Sequence, residues 1–406
     1  MMQSKTYEKY KQSTINWIEE IPCHWEITPF YSVVKESKRS NIGLVENTVL
    51  SLSYGKIIKK PESRHMGLVP ASYETYQIVE PGEIIFRFTD LQNDKRSLRS
   101  AEVTDKGIIT SAYLAVQPIQ IHSTYLAWLM RSYDLCKVFY SMGGGLRQSL
   151  TFEDVRRLPI CLPPQNEQEI IANLIDKRVK QIDSLISKKN RFLELLKEKI
   201  LATVMNEQLQ GSGEEVRLKY LTERISRPVI IEENKEYIAL GLYNRGRGLF
   251  HKASALGEDM GDSNFFYVED GDLILSGQFA WEGAVAIASA KEAGCIVSHR
   301  YPVVRGTSIT TEYFSALLMT NFGDFLLNES SRGAAGRNRP LNIGRLLNEK
   351  IKTPSQKVQN EVTRLMHFKA LAEIKIKRSI ELLIERRTAY ITAAVTGKID
   401  LRGESA

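Results

Sequence analysis

Four segments of this 406-residue sequence carry arginine, lysine, glutamine or asparagine, and three of the four also contain glycine. Arginine, glutamine and asparagine are side chains that can read base edges in DNA. Two lie in the first half, at Arg87–Arg99 and Gly143–Ser149, and two in the second, at Ser276–Gly283 and Ser331–Pro340. Arginine can bind one guanine through two hydrogen bonds, and glycine lets a backbone approach a phosphate closely. The composition predicts DNA contacts, with a solvated loop as the alternative for each segment taken alone. The residues predicted to contact DNA are Arg87, Gln92, Asn93, Lys95, Arg96, Arg147, Gln148, Ser276, Gln278, Trp281, Arg332, Arg337, Asn338 and Arg339.

Sequence motifs for catalysis, cofactor binding and metal binding are missing. The Gly-Lys pairs at Gly55 and Gly397 are each followed by isoleucine, so neither belongs to a phosphate-binding loop. The six histidines and four cysteines show no metal-ligand spacing. Glu153 and Asp154 follow Thr151 in the pattern of a helix start, which explains this carboxylate pair better than acid–base catalysis does. We therefore predict no catalytic, cofactor or metal site in this chain.

Composition and charge indicate a folded protein of the cytoplasm. Hydrophobic residues make up 43% and charged residues 25%, close to the averages for soluble globular proteins. The net charge of +7 permits a polyanionic partner but is a weak signal of one. The start of the chain lacks the apolar core of a secretion signal, and no apolar run is long enough to span a membrane. We predict a cytoplasmic location and no membrane partner.

The sequence repeats itself with a period of about 190 residues. Pro81–Ile85 (PGEII) corresponds to Asp270–Ile274 (DGDLI), and Tyr125–Met130 (YLAWLM) corresponds to Phe314–Met319 (FSALLM). Each similarity is weak alone, but their shared order and nearly constant spacing predict an internal duplication. Within each copy, short β-branched segments separated by turns predict a small α+β domain.

A glycine-free amphipathic segment of about 40 residues follows each α+β domain. Its apolar residues recur in steps of four and three, the pattern of a coiled-coil seam, with packing in an ordinary globular core as the alternative. Because the order is domain, helix, domain, helix, paired helices must run antiparallel. The predicted fold is two duplicated α+β domains, at 1–162 and 214–353, separated by two long antiparallel coiled-coil helices, at 163–213 and 354–406 with the tail. The predicted seam residues are Ile175, Val179, Ile182, Ile186, Leu193, Leu196, Ile200, Val362, Met366, Ile376, Ile380, Leu383 and Tyr390.

These features together resemble the specificity (S) subunits of type I restriction-modification systems over essentially the whole chain. The similarity rests on Trp17–Glu26 (WIEEIPCHWE), Pro81–Phe86 (PGEIIF), Leu158–Gln168 (LPICLPPQNEQ) and Ala393–Arg402 (AAVTGKIDLR). The last two motifs are specific, whereas the turn in PGEIIF is common to many folds. The second helix entry, Ile351–Gln359 (IKTPSQKVQ), departs from the proline-rich form of the family.

The resemblance implies two target-recognition domains, each reading one half of a split sequence in double-stranded DNA. The helices would dock two methyltransferase (M) subunits, and restriction (R) subunits would join through the complex. Those partners would bind S-adenosylmethionine and ATP with magnesium, and this chain would be a non-catalytic recognition subunit. The adenine-methyltransferase motif D/N-P-P-F/Y/W is absent, since Pro163 and Pro164 stand between Leu162 and Gln165. Two alternatives remain: a duplicated coiled-coil scaffold that reads no DNA, and a self-contained nucleic-acid enzyme.

Overall fold

The structure is a computed structural model that describes residues 5–60, 72–94, 96–142, 149–331 and 339–403. The chain divides into two compact units. The first unit combines Met1–Ser187 with Ser379–Ala406, and the second is Lys188–Arg378. Each unit therefore contains one globular part and portions of the same two long helices.

Short strands make up most of the regular structure in the globular parts, and two helices are far longer than every other described element. The strands are β1 (Tyr10–Gln12), β2 (Glu20–Pro22), β3 (Glu26–Pro29), β4 (Val34–Ser37), β5 (Leu50–Ser53), β6 (Lys56–Lys59), β7 (Gln77–Val79), β8 (Ile84–Phe86), β9 (Ser100–Glu102), β10 (Gly107–Ile109), β11 (Leu114–Pro118), β12 (Pro159–Leu162), β13 (Glu215–Arg217), β14 (Thr222–Ile225), β15 (Glu236–Tyr237), β16 (Leu240–Leu242), β17 (Leu249–His251), β18 (Ala255–Leu256), β19 (Phe265–Tyr267), β20 (Leu273–Leu275), β21 (Val285–Ile287), β22 (Ile296–Ser298), β23 (Val303–Gly306) and β24 (Lys350–Lys352). The helices are α1 (Phe30–Val33), α2 (Ser123–Leu135), α3 (Phe152–Val155), α4 (Gln165–Gln210), α5 (Thr311–Leu318), α6 (Asn321–Glu329), α7 (Ile343–Asn348) and α8 (Gln356–Val395).

Each globular part contains a four-stranded antiparallel sheet whose central strand is buried on both faces. The strand order is β4-β11-β8-β9 in the first unit and β14-β23-β20-β21 in the second. Ile84 and Phe86 of β8 pack in the core that contains α2, whereas Ile85 packs in a second apolar cluster. In β20, Leu273 joins the core that contains α5, and Ile274 joins a separate cluster. Neighbouring residues of a strand point to opposite faces of the sheet, so the consecutive apolar residues of one strand pack in two different apolar clusters.

The turn before the central strand has the same internal bonds in both units. In the first unit, the buried carboxylate of Glu83 accepts a hydrogen bond from the backbone N–H three residues earlier and pairs with Arg39. In the second, the buried carboxylate of Asp272 is bound in the same way and pairs with Arg227. The PGE and DGD motifs therefore share one structural role, which confirms the duplication predicted from the sequence.

The long helices α4 and α8 contain 46 and 40 residues and run antiparallel. In the second unit, the rings of Phe192 and Phe368 meet edge to face with centroids 6.4 Å apart, and Lys199 Nζ lies 4.0 Å from Glu361. Lys199 follows Phe192 in α4, whereas its partner Glu361 precedes Phe368 in α8. The two helices therefore run in opposite directions. The fold class predicted from the sequence is confirmed.

The predicted seam residues lie on the covered side of each long helix. Ile175, Ile182 and Ile200 of α4 are buried, as is Val362 of α8. The other predicted seam residues are half-buried, whereas most of their neighbours along the middle of each helix are exposed. The spacing of apolar residues therefore identified the buried face of both helices.

Each core takes in the beginning of one long helix and the end of the other. The first unit uses the start of α4 and the end of α8, and the second uses the start of α8 and the end of α4. The helix residues in the first core include Ile171, Ile175, Ile391 and Val395, and those in the second include Val362, Leu365, Ile200 and Val204.

One correspondence between the copies is shifted by one residue relative to the sequence comparison. The comparison paired Tyr125 with Phe314, but Tyr125 stands at the structural position of Tyr313. The backbone N–H of Tyr125 donates to the side chain of His122, the residue that caps α2, and that of Tyr313 donates to Thr310, which caps α5. The apolar residues of the two helices can be aligned in either register, because both alignments match apolar with apolar residues. The capping residue fixes the register, since it determines where each helix begins.

A buried glutamine joins each long helix to this cap. Gln168 accepts a hydrogen bond from the backbone N–H of His122 (2.8 Å), and Gln359 accepts one from that of Thr310 (2.9 Å). Each glutamine also donates to a proline carbonyl five residues earlier, at 2.8 Å and 3.1 Å. The last residues of LPICLPPQNEQ and IKTPSQKVQ therefore have the same role, although the second motif departs from the family pattern.

Candidate nucleic-acid interface

Arg99 folds the predicted loop Arg87–Arg99 of the first unit back on itself. Its buried guanidinium donates hydrogen bonds to the carbonyl oxygen of Thr89 (3.0 Å) and to the hydroxyl of Tyr140 (3.2 Å). Its backbone N–H donates to the carboxylate of Asp134 (2.6 Å). A buried charge requires such acceptors, so Arg99 shapes the loop and is unavailable to a ligand.

Asp94 holds the tip of this loop. Its carboxylate accepts hydrogen bonds from the backbone N–H groups of Ser97 (2.9 Å) and Arg96 (3.2 Å). The hydrogen bond from the side chain of Ser97, together with these backbone bonds, lowers the pKa of Asp94 to about 2, so the group is ionised at neutral pH. Asn93 is fixed as well, because its amide donates to the carboxylate of Asp90 (2.7 Å).

The folded loop keeps most of its predicted DNA contacts at the surface. Gln92, Asn93 and Arg96 are exposed, and Arg87 is half-buried with its guanidinium 4.0 Å from the carboxylate of Asp94. The structure therefore brings these polar side chains together on one short loop. Three further residues predicted to contact DNA in this half lie outside the described residues: Lys95, Arg147 and Gln148.

In the second unit, Ser276 is buried and does not reach the surface. Its hydroxyl accepts a hydrogen bond from the backbone N–H of Phe279 (3.1 Å), an arrangement typical of serine in turns. The prediction that Ser276 contacts DNA is therefore corrected: the serine positions the exposed residues Gln278 and Phe279. Sequence composition could not separate these roles, because serine suits both.

Arg339 and Trp281 connect the two predicted loops of the second unit. The guanidinium carbon of Arg339 lies 5.1 Å from the centre of the Trp281 ring, within the range of a cation–π interaction. The indole N–H of Trp281 donates to the carbonyl oxygen of Gln278 (3.1 Å). Arg339 and Gln278 are both exposed, so the loops form one surface cluster. The remaining predicted residues of this half, which lie outside the described residues, are Arg332, Arg337 and Asn338.

A neighbouring segment with the same composition was not selected from the sequence. Asn244–Gly248 (NRGRG) is fastened to the loop Ser276–Gly283, since the backbone N–H of Arg245 donates to the carbonyl oxygen of Glu282 (2.9 Å). Arg245 and the second arginine of the segment are exposed. Its two arginines, its asparagine and its two glycines are the residue types used to select the other loops, so the segment could have been predicted from the sequence.

Three of the four motifs that carry the resemblance contribute to one largely buried cluster of the first unit, through Trp25, Glu167 and Arg402. The carboxylate of Glu167 accepts hydrogen bonds from the hydroxyl of Tyr7 and the indole N–H of Trp25 (3.1 Å), and it lies 2.9 Å from His24 Nε2. The guanidinium of Arg402 lies 4.8 Å from the ring centre of Tyr7. Burial, together with the bond to Glu167, raises the pKa of Tyr7, which stays neutral. These segments therefore hold parts of the first unit together through Glu167 and its partners.

Both long helices also expose apolar side chains outside the seam. In the second unit, Leu371 and Ile374 of α8 are 61% and 60% exposed. Repeated exposed apolar residues along a helix are typical of an interface with another protein. The other large ones are Phe192, Leu195, Leu209 and Phe368 in the second unit and Leu185, Leu382 and Ile384 in the first.

The described part of the chain contains neither a cluster of metal ligands nor a membrane-spanning helix. No three of its histidine, cysteine, aspartate and glutamate side chains converge as metal ligands would. None of its helices combines the length and apolar character of a membrane span.

Comparison with solved structures identifies the fold as one found in type I restriction-modification systems. A chain from a study of the "structural basis underlying complex assembly and conformational transition of the type I R-M system" aligns with a TM-score of 0.61 and 14% identity. The alignment covers 93% of this chain and 99% of that chain. Two α+β parts built on two long helices are therefore a known architecture.

Two crystal structures of named subunits align over similar lengths with lower scores. One is the HsdS subunit from Thermoanaerobacter tengcongensis, with 17% identity, a TM-score of 0.47 and coverage of 95% of this chain and 100% of that chain. The other is the type I restriction-modification S subunit from M. genitalium, with 12% identity, a TM-score of 0.47 and coverage of 94% and 98%. The sequence matches no protein-family profile and no curated protein.

Proposed function

We propose that this chain is the specificity subunit of a type I restriction-modification complex and reads a split sequence in double-stranded DNA. The observation that carries the proposal is the internal repetition, in which two similar units each present a polar, arginine-containing loop cluster. Repeated recognition units suit a target made of two half-sites, because each unit contacts its own half. The fold shared with a type I restriction-modification chain agrees with this role.

The exposed loop side chains are the groups that would contact DNA. In the first unit these are Gln92 and Arg96, and in the second they are Gln278 and Arg339. Arginine and glutamine carry the hydrogen-bonding groups that distinguish guanine from adenine in the major groove. Asn93 accompanies them in the first unit and Trp281 in the second, so the two half-sites should differ in sequence.

The exposed apolar residues of α4 and α8 are the surface that would bind two methyltransferase subunits. Leu371 and Ile374 belong to the second unit, and Leu382 and Ile384 give the first unit a similar surface. Burying such side chains against a partner releases free energy in proportion to the apolar area covered. Duplication of the units supplies two docking surfaces, one for each partner.

Catalysis is assigned to the partners in this proposal. S-adenosylmethionine would bind the methyltransferase subunits, ATP with magnesium would bind the restriction subunits, and this chain would hold neither. Because its target is DNA, the complex would work in the cytoplasm. A pure scaffold role explains the helices but gives no reason for the arginine-containing loops.

The test is to express the chain with its methyltransferase partner and to map methylated adenines by single-molecule sequencing. We expect methylation at one split sequence only when both proteins are present. The purified chain alone should neither methylate nor cleave DNA. Methylation that is the same without this chain, or that follows an uninterrupted sequence, would contradict the proposal, and a complex that forms without altering DNA specificity would support the scaffold.

A further inference from the structure

A β-hairpin stands at the corresponding position of each unit. In the first unit β5 and β6 form a hairpin that turns at Tyr54 and Gly55, and in the second β16 and β17 are joined by residues 243–248. Neither hairpin belongs to the loops predicted from the sequence. Both tips carry aromatic and cationic side chains that are exposed: Tyr54 and Lys56 in the first unit, and Tyr243, Arg245 and Arg247 in the second.

Both tips place a large side chain in the left-handed backbone region. Tyr54 has φ of 46° and Arg245 has φ of 60°. This region suits glycine or asparagine, and a bulky residue there is unfavourable. Tyr54 is 89% exposed, so packing within its own unit does not compensate. An unfavourable, exposed tyrosine contributes little to folding, which points to a contact outside the chain.

Each hairpin tip is bound to a predicted DNA-reading loop. In the first unit, the guanidinium of Arg131 donates to the carbonyl oxygens of Gly55 and Ser100, both at 2.7 Å, and Ser100 directly follows the loop Arg87–Arg99. In the second, the backbone N–H of Gly246 donates to the carbonyl oxygen of Gly283 (2.7 Å), the last residue of the loop there. The tip and the loop therefore form one surface in each unit.

The same helix position supports both tips. Arg131 and Met319 each stand nine residues after the cap of their helix. A Cβ added to Gly55 would lie 2.4 Å from Nη1 of Arg131, and one added to Gly246 would lie 2.9 Å from Sδ of Met319. Both glycines have positive φ, 72° at Gly55 and 61° at Gly246, a backbone region that glycine adopts without strain. The matched supports show that the hairpins are equivalent elements of the duplication.

The tips carry excess positive charge. The carboxylate nearest to Lys56 belongs to Asp183, at 3.8 Å, and the same carboxylate pairs with Arg387. Because the single carboxylate of Asp183 pairs with both Lys56 and Arg387, these three side chains together carry a net positive charge. In the second unit, the guanidinium of Arg247 lies 5.4 Å from the ring centre of Tyr243. Exposed cations beside aromatic rings suit the phosphates and flat bases of a nucleic acid.

We propose that the two hairpin tips, at residues 53–56 and 243–248, are duplicated contacts to the DNA backbone beside each recognition loop. The inference rests on the proposed function and adds the elements that grip the duplex. Lys56, Arg245 and Arg247 bind phosphates, and the exposed tyrosines pack against sugars or bases. DNA is favoured over a methyltransferase surface because both tips are cationic and joined to the loops that read bases.

The test uses the complete complex with its methyltransferase partner and the DNA target found by methylation mapping. One variant combines Tyr54→Ala with Lys56→Gln, and another combines Arg245→Gln with Arg247→Gln. Each lost phosphate contact should weaken binding about tenfold at 0.1 M salt and lower the slope of log affinity against log salt by about one. Hydroxyl-radical footprinting should lose protection in one half-site for the first variant and in the other half-site for the second.

Matched controls come from two other exposed cation–tyrosine pairs. Arg156 lies 5.6 Å from the ring centre of Tyr31, and Lys219 lies 5.1 Å from that of Tyr220. Each of Arg156→Gln and Lys219→Gln removes one positive charge, and the two combined match the two charges lost with Arg245→Gln and Arg247→Gln. Alone or combined, they should leave affinity, salt slope and footprint as in the wild type. Equal losses in these controls would overturn the inference, since they would show a general effect of charge.

The outcomes separate this inference from the proposed function. If the wild-type complex protects no split site, the proposed function fails. If it protects one and the hairpin variants bind it with wild-type affinity, salt slope and footprint, only the hairpin inference fails. If the variants instead lose the methyltransferase partner, the tips are a protein interface and the inference is overturned.

Discussion

Single buried charges decide how the turns beside the central strands are built. Asp272 is fully buried, and its carboxylate accepts hydrogen bonds from Arg227 (2.7 Å) and Arg305 (2.6 Å). The hydrogen bond that Arg227 donates to Asp272 is the main reason why the pKa of Arg227 is raised. A carboxylate without water must be balanced by such partners, so its loss leaves two guanidinium groups poorly compensated.

Replacing Asp272→Ala should destabilise the second unit by about 3 kcal/mol, because a buried charge pair loses one side. Native-state hydrogen exchange of the β20 amides measures this locally, without requiring the whole chain to unfold in one step. Glu269→Gln is the control, since the side chain of Glu269 is 55% exposed and pairs with the same arginines. It should cost less than about 1 kcal/mol. Equal effects of the two substitutions would contradict the role given to burial.

Each long helix has a half-buried seam face and a separate exposed face that also carries apolar side chains. Ile376 and Ile380 belong to the seam and are half-buried, whereas Leu371 and Ile374 lie outside it and are exposed. A substitution at the seam acts on the fold of the chain itself. A substitution on the exposed apolar face leaves the packing of the chain intact and so tests the proposed docking surface.

The double change Leu371→Glu and Ile374→Glu should leave the chain folded and weaken its binding to the methyltransferase partner. Two apolar side chains lost from an interface should cost at least about 1.5 kcal/mol, or about tenfold in affinity. Titration calorimetry with the purified partner measures the change, and circular dichroism checks the fold. Lys377→Glu, an exposed neighbour, is the control and should bind nearly as well as the wild type. An unchanged affinity of the double variant would place the docking surface elsewhere.

At the scale of the whole molecule, α4 is continuous from Gln165 to Gln210 and contributes to both units. A change in the length of this helix therefore passes from one unit to the other without a loop to absorb it. The sequence interpretation, in which the helices separate two recognition domains, makes the unread spacer of the DNA target depend on helix length.

Inserting four residues after Ile186 should preserve both half-sites and lengthen the spacer between them. The insertion adds about 6 Å of helix, close to two base pairs, and nearly completes a turn so that the seam stays in register. Methylation mapping reads the new spacer directly. A one-residue insertion should be far more damaging, because it rotates the later seam residues by about 100°. An active four-residue variant with the original spacer would show that the helices do not measure the DNA.

Local sequence patterns determined the secondary structure and the repetition of this protein. The seam could be predicted because a coiled coil repeats its apolar positions at a fixed spacing, from Ile175 to Ile200 and from Val362 to Tyr390. The duplication could be predicted because both copies keep the same turn before a buried strand. Arginine, glutamine and asparagine marked the candidate loops by composition alone, and Gln92, Arg96, Gln278 and Arg339 are exposed in the structure.

Tertiary structure decided what periodicity and composition leave open. Ser276 is buried, and the residue equivalent to Tyr125 in the second copy is Tyr313 and not Phe314. Tyr7, Glu167 and Arg402, which are far apart in the sequence, lie in one cluster. Tertiary structure also set the hairpin tips beside the candidate loops through Arg131 and Gly283. A helix or strand pattern is written into neighbouring residues, because their spacing alone sets which face they share. Contacts between residues far apart in the chain depend on how the elements pack, and no spacing in the sequence encodes them.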